Sequence, residues 1–274
     1  MDIARHRLRA DGGDPLPFRK SPNVSGRLQP RYLVMHYTAG RSAAESVDWL
    51  TQKRAKASAH VVVGRDGSVT QLAPFDRVTW HAGESAWDGL VGLNEYSIGI
   101  EMDNAGRLER KGGKWSAWFG TTYPDDEVME AVHKHETRPA GWHVYPPEQI
   151  EAALDVALTL VRKYDLLDVI GHEDISPGRK TDPGPAFPMA SFRSRIYGRT
   201  ADVPPPFETT TALNIREGAG TQHATLAVSP LPAGTRVHVR DTRGSWRFVE
   251  VEDDVDGQPD VLGWVHGRYL RRAD

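Results

Sequence analysis

Residues 31–37 read RYLVMHY, a short apolar run set between Pro30 and the loop-forming Thr38-Ala39-Gly40. A run of this length, partly β-branched or aromatic and bounded by turn residues, reads as a buried strand that delivers His36 to its end. Ser42-Ala43-Ala44-Glu45 follows with capping-box spacing, ahead of apolar Val47 and Leu50, so a helix succeeds the strand. Further along, residues 59–64 and 68–73 are two β-like runs joined through Arg65-Asp66-Gly67, and Asp-Gly predicts an antiparallel hairpin. SIGIEM at residues 97–102 is another buried strand, with Gly99 allowing close approach of a neighbouring backbone and Glu101 near its end.

A stretch rich in Lys, Gly and Trp occupies about residues 104–145 and is expected to be a polar insertion. Pro146-Pro147 then starts a helix with apolar positions at Ile150, Leu154, Ala157, Leu158 and Val161, a spacing that buries one face. After a break at Asp165, Val169-Ile170-Gly171 forms a short strand and hands His172 to a loop.

The chain has 274 residues, 39% of them hydrophobic, which suits one large domain with an appendage. Thirty-four Lys and Arg against 37 Asp and Glu leave a formal charge of -3, so no global electrostatic case for nucleic acid exists. No apolar run approaches the roughly 18 residues of a membrane span. Cysteine is absent, so any zinc must be held by imidazole and carboxylate. Residues 1–29 read as an N-terminal extension without the apolar segment of a secretory signal. The expectation is synthesis in the cytoplasm and retention there, unless lysis-linked release or dedicated secretion carries the protein to a wall.

Asp202-Val203-Pro204-Pro205-Pro206 marks a stiff spacer, residues 201–207, between a domain at 30–200 and a module at 208–274. In that module, strand-like runs at residues 212–215, 235–239, 247–251 and 263–265 alternate with turn signals and predict a small barrel.

Residues 171–185, GHEDISPGRKTDPGP, concentrate chemistry in a loop stiffened by Gly and Pro. In an extended segment Lys180 and Asp182 project to one side and Thr181 to the other. With His172 ten residues earlier and His36 at another strand end, two imidazoles and a carboxylate can assemble into a catalytic zinc site with one open position. His36, His172 and Asp182 are therefore the candidate ligands, although none sits at helical spacing from another.

YLVMHYTAG, SAHVVVGRDGSVTQLAP, WHAG at residues 80–83, SIGIE and GHEDISPGRKTDPGPAF, in this order over roughly residues 30–195, resemble the zinc-dependent N-acetylmuramoyl-L-alanine amidases of the amidase type 2 family. The resemblance implies an α/β fold with a central mixed β-sheet flanked by helices. It implies one catalytic Zn2+ on His36, His172 and Asp182, with Glu101 as the catalytic carboxylate and Lys180 as the catalytic lysine. The implied reaction is hydrolysis of the amide joining N-acetylmuramic acid to L-alanine in peptidoglycan or muropeptides. The alternative is a non-catalytic peptidoglycan receptor, against which Glu101, Lys180 and Asp182 all argue. His81 in WHAG and Asn94 are candidate substrate contacts, each with a structural hydrogen-bonding role as its alternative. His60 is assigned to the sheet, while His133, His135 and His143 are expected to be exposed. Trp115, Trp118, Trp142 and Tyr145 could stack on sugars or cover the core.

The C-terminal runs ALNIREGAG, LPAGTRVHV, SWRFVEV and GWVHGRYL resemble a bacterial SH3-like domain, which implies an all-β barrel and tethering to cell-wall material. Recycling enzyme, endolysin and delivered toxin all remain open.

Overall fold

The Tyr32–Tyr37 strand is buried at every residue but the last, as an apolar run covered on both faces should be. In the computed structural model, which describes residues 1–198, 207–252, 255, 258 and 261–273, it lies second in a five-stranded sheet. Asp168–Gly171 flanks it on one side; Ser97–Met102, Val61–Val63 and Val69–Gln71 follow on the other. The first four strands run parallel and Val69–Gln71 returns antiparallel, through a turn in which Gly67 takes a φ of 78°. The central sheet is mixed.

Parallel pairing sets Glu101 beside His36 and Gly171 beside Met35. Three strands therefore end together at one edge of the sheet, where open α/β sheets place their ligands.

Helices cover both faces. Pro147–Tyr164 starts with proline in its first turn, ends at Asp165 in a left-handed conformation, and buries Ala153, Val156, Ala157 and Leu160. These side chains join Leu33, Met35, Ile98 and Ile100 in the main core. On the opposite face, Ala43–Leu50 is capped by Ser42 Oγ, which accepts from Glu45 N at 3.2 Å, and its Val47 and Leu50 pack with Val62 and Leu72.

Two expectations change. Residues 1–29 are packed into the core rather than appended to it: a hairpin of Asp2–Ala4 and Arg7–Arg9 buries Ile3 and Leu8, and Leu28 joins them. Each strand supplies only one inward apolar residue, too little for a periodic signal. Residues 104–145, expected to be a polar insertion, carry strands and buried aromatics. Arg107–Lys111 pairs antiparallel with Lys114–Ser116 and with Pro139–His143, burying Leu108, Trp115 and Trp142 while Glu109, Lys111 and Lys114 face water.

The chain divides into two compact units, residues 1–128 with 132–198, and residues 129–131 with 199–274. In the second, an antiparallel sheet runs in the order Leu262–His266, Trp246–Val251, Arg236–Arg243, Phe207–Thr209, Leu270–Arg272 around Ile215, Leu231, Val237, Val249 and Val265. Residues 212–215, expected as a strand, are irregular apart from a bridge from Leu213 to Leu231. The proline-rich spacer, except Phe207, lies outside the described residues. Among them no helix is long and apolar enough to cross a membrane.

Candidate metal centre

His36 ends its strand one position before Tyr37, and His172 opens the single helical turn His172–Ile175 that follows the Asp168–Gly171 strand. The sequence reading placed His172 in a loop. The turn forms because Asp174 Oδ2 accepts from Gly171 N at 2.8 Å and closes its start. Glu173 N donates to Asp182 O at 2.8 Å, which draws residue 182 back alongside the turn.

As a result three donor atoms converge. His36 Nδ1 and His172 Nδ1 are 2.9 Å apart, and each lies 2.9 Å from Asp182 Oδ2. All three residues are buried. His172 Nε2 lies 3.0 Å from the carbonyl oxygen of Ala82, which only accepts, so Nε2 carries a proton and Nδ1 is the nitrogen that offers a lone pair when the ring serves as a metal ligand. A lone pair, a second imidazole nitrogen and a carboxylate oxygen this close repel one another unless a positive charge sits among them. Two imidazole nitrogens and one carboxylate oxygen, with room for a fourth ligand, are a donor set suited to zinc. The residues fit the ion.

Electrostatics agree with that role. Burial, reinforced by the neighbouring His172, lowers His36 to about 4, so its ring is neutral near pH 7.

His36, His81, Glu101, His172, Lys180 and Asp182 all line one cleft of about 350 Å³. Thr181, expected to point away from its two neighbours, lines the same cleft with them, its hydroxyl 2.7 Å from Tyr37 Oη. Glu101 is part exposed, yet its Oε2 is sealed from solvent without a hydrogen-bond partner. Burial, and then the nearby Asp182, raise its carboxyl well above the ordinary range, while Lys180 pulls in the other direction.

His81 and Asn94 take supporting positions. The His81 ring has Nδ1 2.9 Å from His36 Nε2 and Nε2 3.3 Å from Ser97 O. Asn94 Oδ1 accepts from His81 N at 3.0 Å and Ala82 N at 2.7 Å, behind the cleft wall.

A support that sequence reasoning missed comes from the insertion. Buried Glu173 places Oε2 2.6 Å from His133 Nε2 and Oε1 2.8 Å from Lys134 Nζ, and Gly184 N donates to Oε2 at 3.2 Å. His133 and His143, expected to be exposed, are both buried, His133 by this contact and by stacking on Trp142, His143 by packing against Tyr123. His60 is fully buried in the sheet. Of the insertion's aromatics only Trp118 stands out, 76% exposed and held by Nε1 donating to Ala39 O at 2.8 Å. With Trp49 it walls a second cleft of about 420 Å³ that reaches Glu101.

A mixed sheet presenting two imidazoles and a carboxylate at its C-terminal edge, beside an unpaired glutamate, defines a metal-site α/β protein. Residues 26–185 match the family model described as N-acetylmuramoyl-L-alanine amidase, and the chain belongs to that family. It is 32% identical over 182 residues to the N-acetylmuramoyl-L-alanine amidase AmiD of Escherichia coli strain K12, covering 63% of this chain and 55% of AmiD. It is 34% identical over 141 residues to the 1,6-anhydro-N-acetylmuramyl-L-alanine amidase AmpD of Enterobacter cloacae, covering 51% of this chain and 57% of that protein. The chain thus spans little more than half the length of these relatives. A crystal structure of a selenomethionine AmpD derivative shares the fold, with a TM-score of 0.50 at 24% identity over 72% of this chain and 99% of that one.

Proposed function

We propose that this chain hydrolyses the amide between N-acetylmuramic acid and L-alanine in peptidoglycan or muropeptides. One observation carries the reading: three convergent ligand atoms, an unpaired Glu101 carboxylate and the Lys180 ammonium share a single cleft. When bound by His36, His172 and Asp182, zinc supplies Lewis-acid polarisation and lowers the pKa of water toward about 7.

The chain's own residues do the rest. Glu101, whose surroundings favour holding a proton, accepts one from the attacking water and returns it to the departing nitrogen, which leaves poorly as an anion. Lys180 donates to the carbonyl oxygen as it gains negative charge, an interaction stronger in the transition state than in the substrate. His36, neutral near pH 7, remains a ligand and does not compete for that proton. Trp49 and Trp118 offer apolar ring faces beside the reacting bond, which suits the hydrocarbon face of a sugar.

In the same reading residues 208–274 form an SH3-like domain that tethers the enzyme to wall material. The small antiparallel sheet around Val237, Val249 and Val265 supports it.

The test combines a zinc determination with product analysis on labelled sacculi and on a soluble muramoyl peptide. New L-alanine amino termini and free muramoyl carboxyl groups are expected. Stoichiometric zinc without either product, across several murein types, would instead support the receptor reading.

A further inference from the structure

His81 and Ala82 are consecutive, and each faces one of the two imidazoles that converge on Asp182. Following the protons outward from the cleft shows what this adjacency does. His81 Nε2 lies 3.3 Å from Ser97 O and 3.3 Å from Ser97 Oγ. The carbonyl oxygen only accepts, and Ser97 Oγ has already committed its proton to Leu93 O at 2.5 Å. Both neighbours of His81 Nε2 are therefore acceptors, so this nitrogen carries the hydrogen.

In a neutral imidazole the other nitrogen is then bare, and His81 Nδ1 accepts from His36 Nε2 at 2.9 Å. That fixes the proton of His36 on Nε2 and leaves Nδ1 as a lone pair aimed at the ligand cluster. Ala82 O imposes the same pattern on His172 by accepting from its Nε2. One short segment thus dictates both tautomers.

Two further residues hold the segment in place. Asn94 Oδ1 accepts from both backbone N–H groups, His81 and Ala82, and so locks their peptide planes. Gly99 makes room for the ring: a Cβ built there would lie 2.6 Å from His81 Cγ and 2.7 Å from Nδ1. The sequence reading had Gly99 admitting a neighbouring backbone, whereas the close neighbour is this imidazole.

We propose that the His81–Ala82 pair, clamped by Asn94 and seated on Gly99, is a positioning element that presets both Nδ1 lone pairs for one zinc ion. The proposal rests on the reading of the cluster as a zinc centre. Outer partners that orient ligand imidazoles typically contribute 10- to 100-fold in metal affinity.

The test uses the zinc-loaded full chain, uniformly labelled with 15N. A ring proton on His36 Nε2, with scalar coupling across the hydrogen bond to His81 Nδ1, is expected; a proton on His81 Nδ1 would overturn the proposal. Zinc affinity by chelator competition supplies the second readout. His81→Leu should weaken binding about 10- to 100-fold, whereas His81→Asn, whose amide oxygen can sit where Nδ1 was, should stay close to wild type. Asn94→Asp should likewise bind far better than Asn94→Leu. Unchanged affinity in a folded His81→Leu protein would refute positioning while leaving the zinc centre intact. A wild-type chain that takes up no zinc would remove both. The coupling measurement needs no variant, so it decides the matter even if His81→Leu fails to fold.

Discussion

Replacing Glu101 by Gln should abolish most activity and yet stabilise the fold. The carboxylate sits opposite His36 in the parallel register, and Oε2 is sealed from water with no partner. Burial and the nearby Asp182 raise its proton affinity above the ordinary value of 4.5. The sign follows from linkage: a carboxyl that binds its proton more tightly in the folded state than in the unfolded state destabilises the fold once pH exceeds the unfolded value, and fully so above the folded one. An unpaired buried polar group costs about 1–3 kcal/mol. The amide still leaves polar atoms there but no charge, so a gain of about 1–2 kcal/mol is expected near neutral pH, or roughly 2–8 °C in Tm for a unit of this size. Loss of the proton carrier should lower turnover by about 10²- to 10⁴-fold. Calorimetry on chelator-treated protein and peptide release from labelled sacculi measure the two effects, and the stability gain should shrink as pH falls toward 4.5. A variant that is less stable than wild type near neutrality, or one that keeps full turnover, would refute this account of Glu101.

Lys180→Ala should retain stoichiometric zinc but lose about 10²- to 10³-fold in rate, and normal turnover would remove Lys180 from the mechanism. Trp118→Ala should raise KM on polymeric murein and leave kcat on a small muramoyl peptide nearly unchanged; equal losses on both would argue against a sugar platform. His133→Ala removes a buried hydrogen bond to Glu173, and because Lys134 and Gly184 N remain, the loss should be about 1–3 kcal/mol by denaturant titration. His36 and His60 are lowered to about 4 and His143 to about 3, each chiefly by burial. Unfolding therefore takes up protons between the ordinary value of 6.5 and these lower ones, and stability falls with acidification across that window. His81 is lowered by burial as well, and four such groups, one of them offset by Glu101, give about 4 kcal/mol per pH unit at the steepest point; a flat profile in metal-free protein from pH 6.5 down to about 4 would contradict this.

The Tyr32–Tyr37 strand, the Asp66-Gly67 hairpin, the Pro147–Tyr164 helix and the strand ending at Glu101 were legible because each is dictated locally, by apolar run length, turn chemistry or helical period. The ligand residues were also in view, since their segments carry family motifs and side chains able to bind metal. Sequence alone could not show the hairpin of residues 1–9 entering the core, the insertion's sheet, or the Glu173 brace to His133 and Lys134. These rest on contacts between residues far apart in the chain, with at most one or two apolar positions per segment to announce them. Proton placement is the clearest case. Which nitrogen of His36 carries the proton is set through His81 and Ser97, 45 and 61 residues away, and only the fold brings their acceptors within reach.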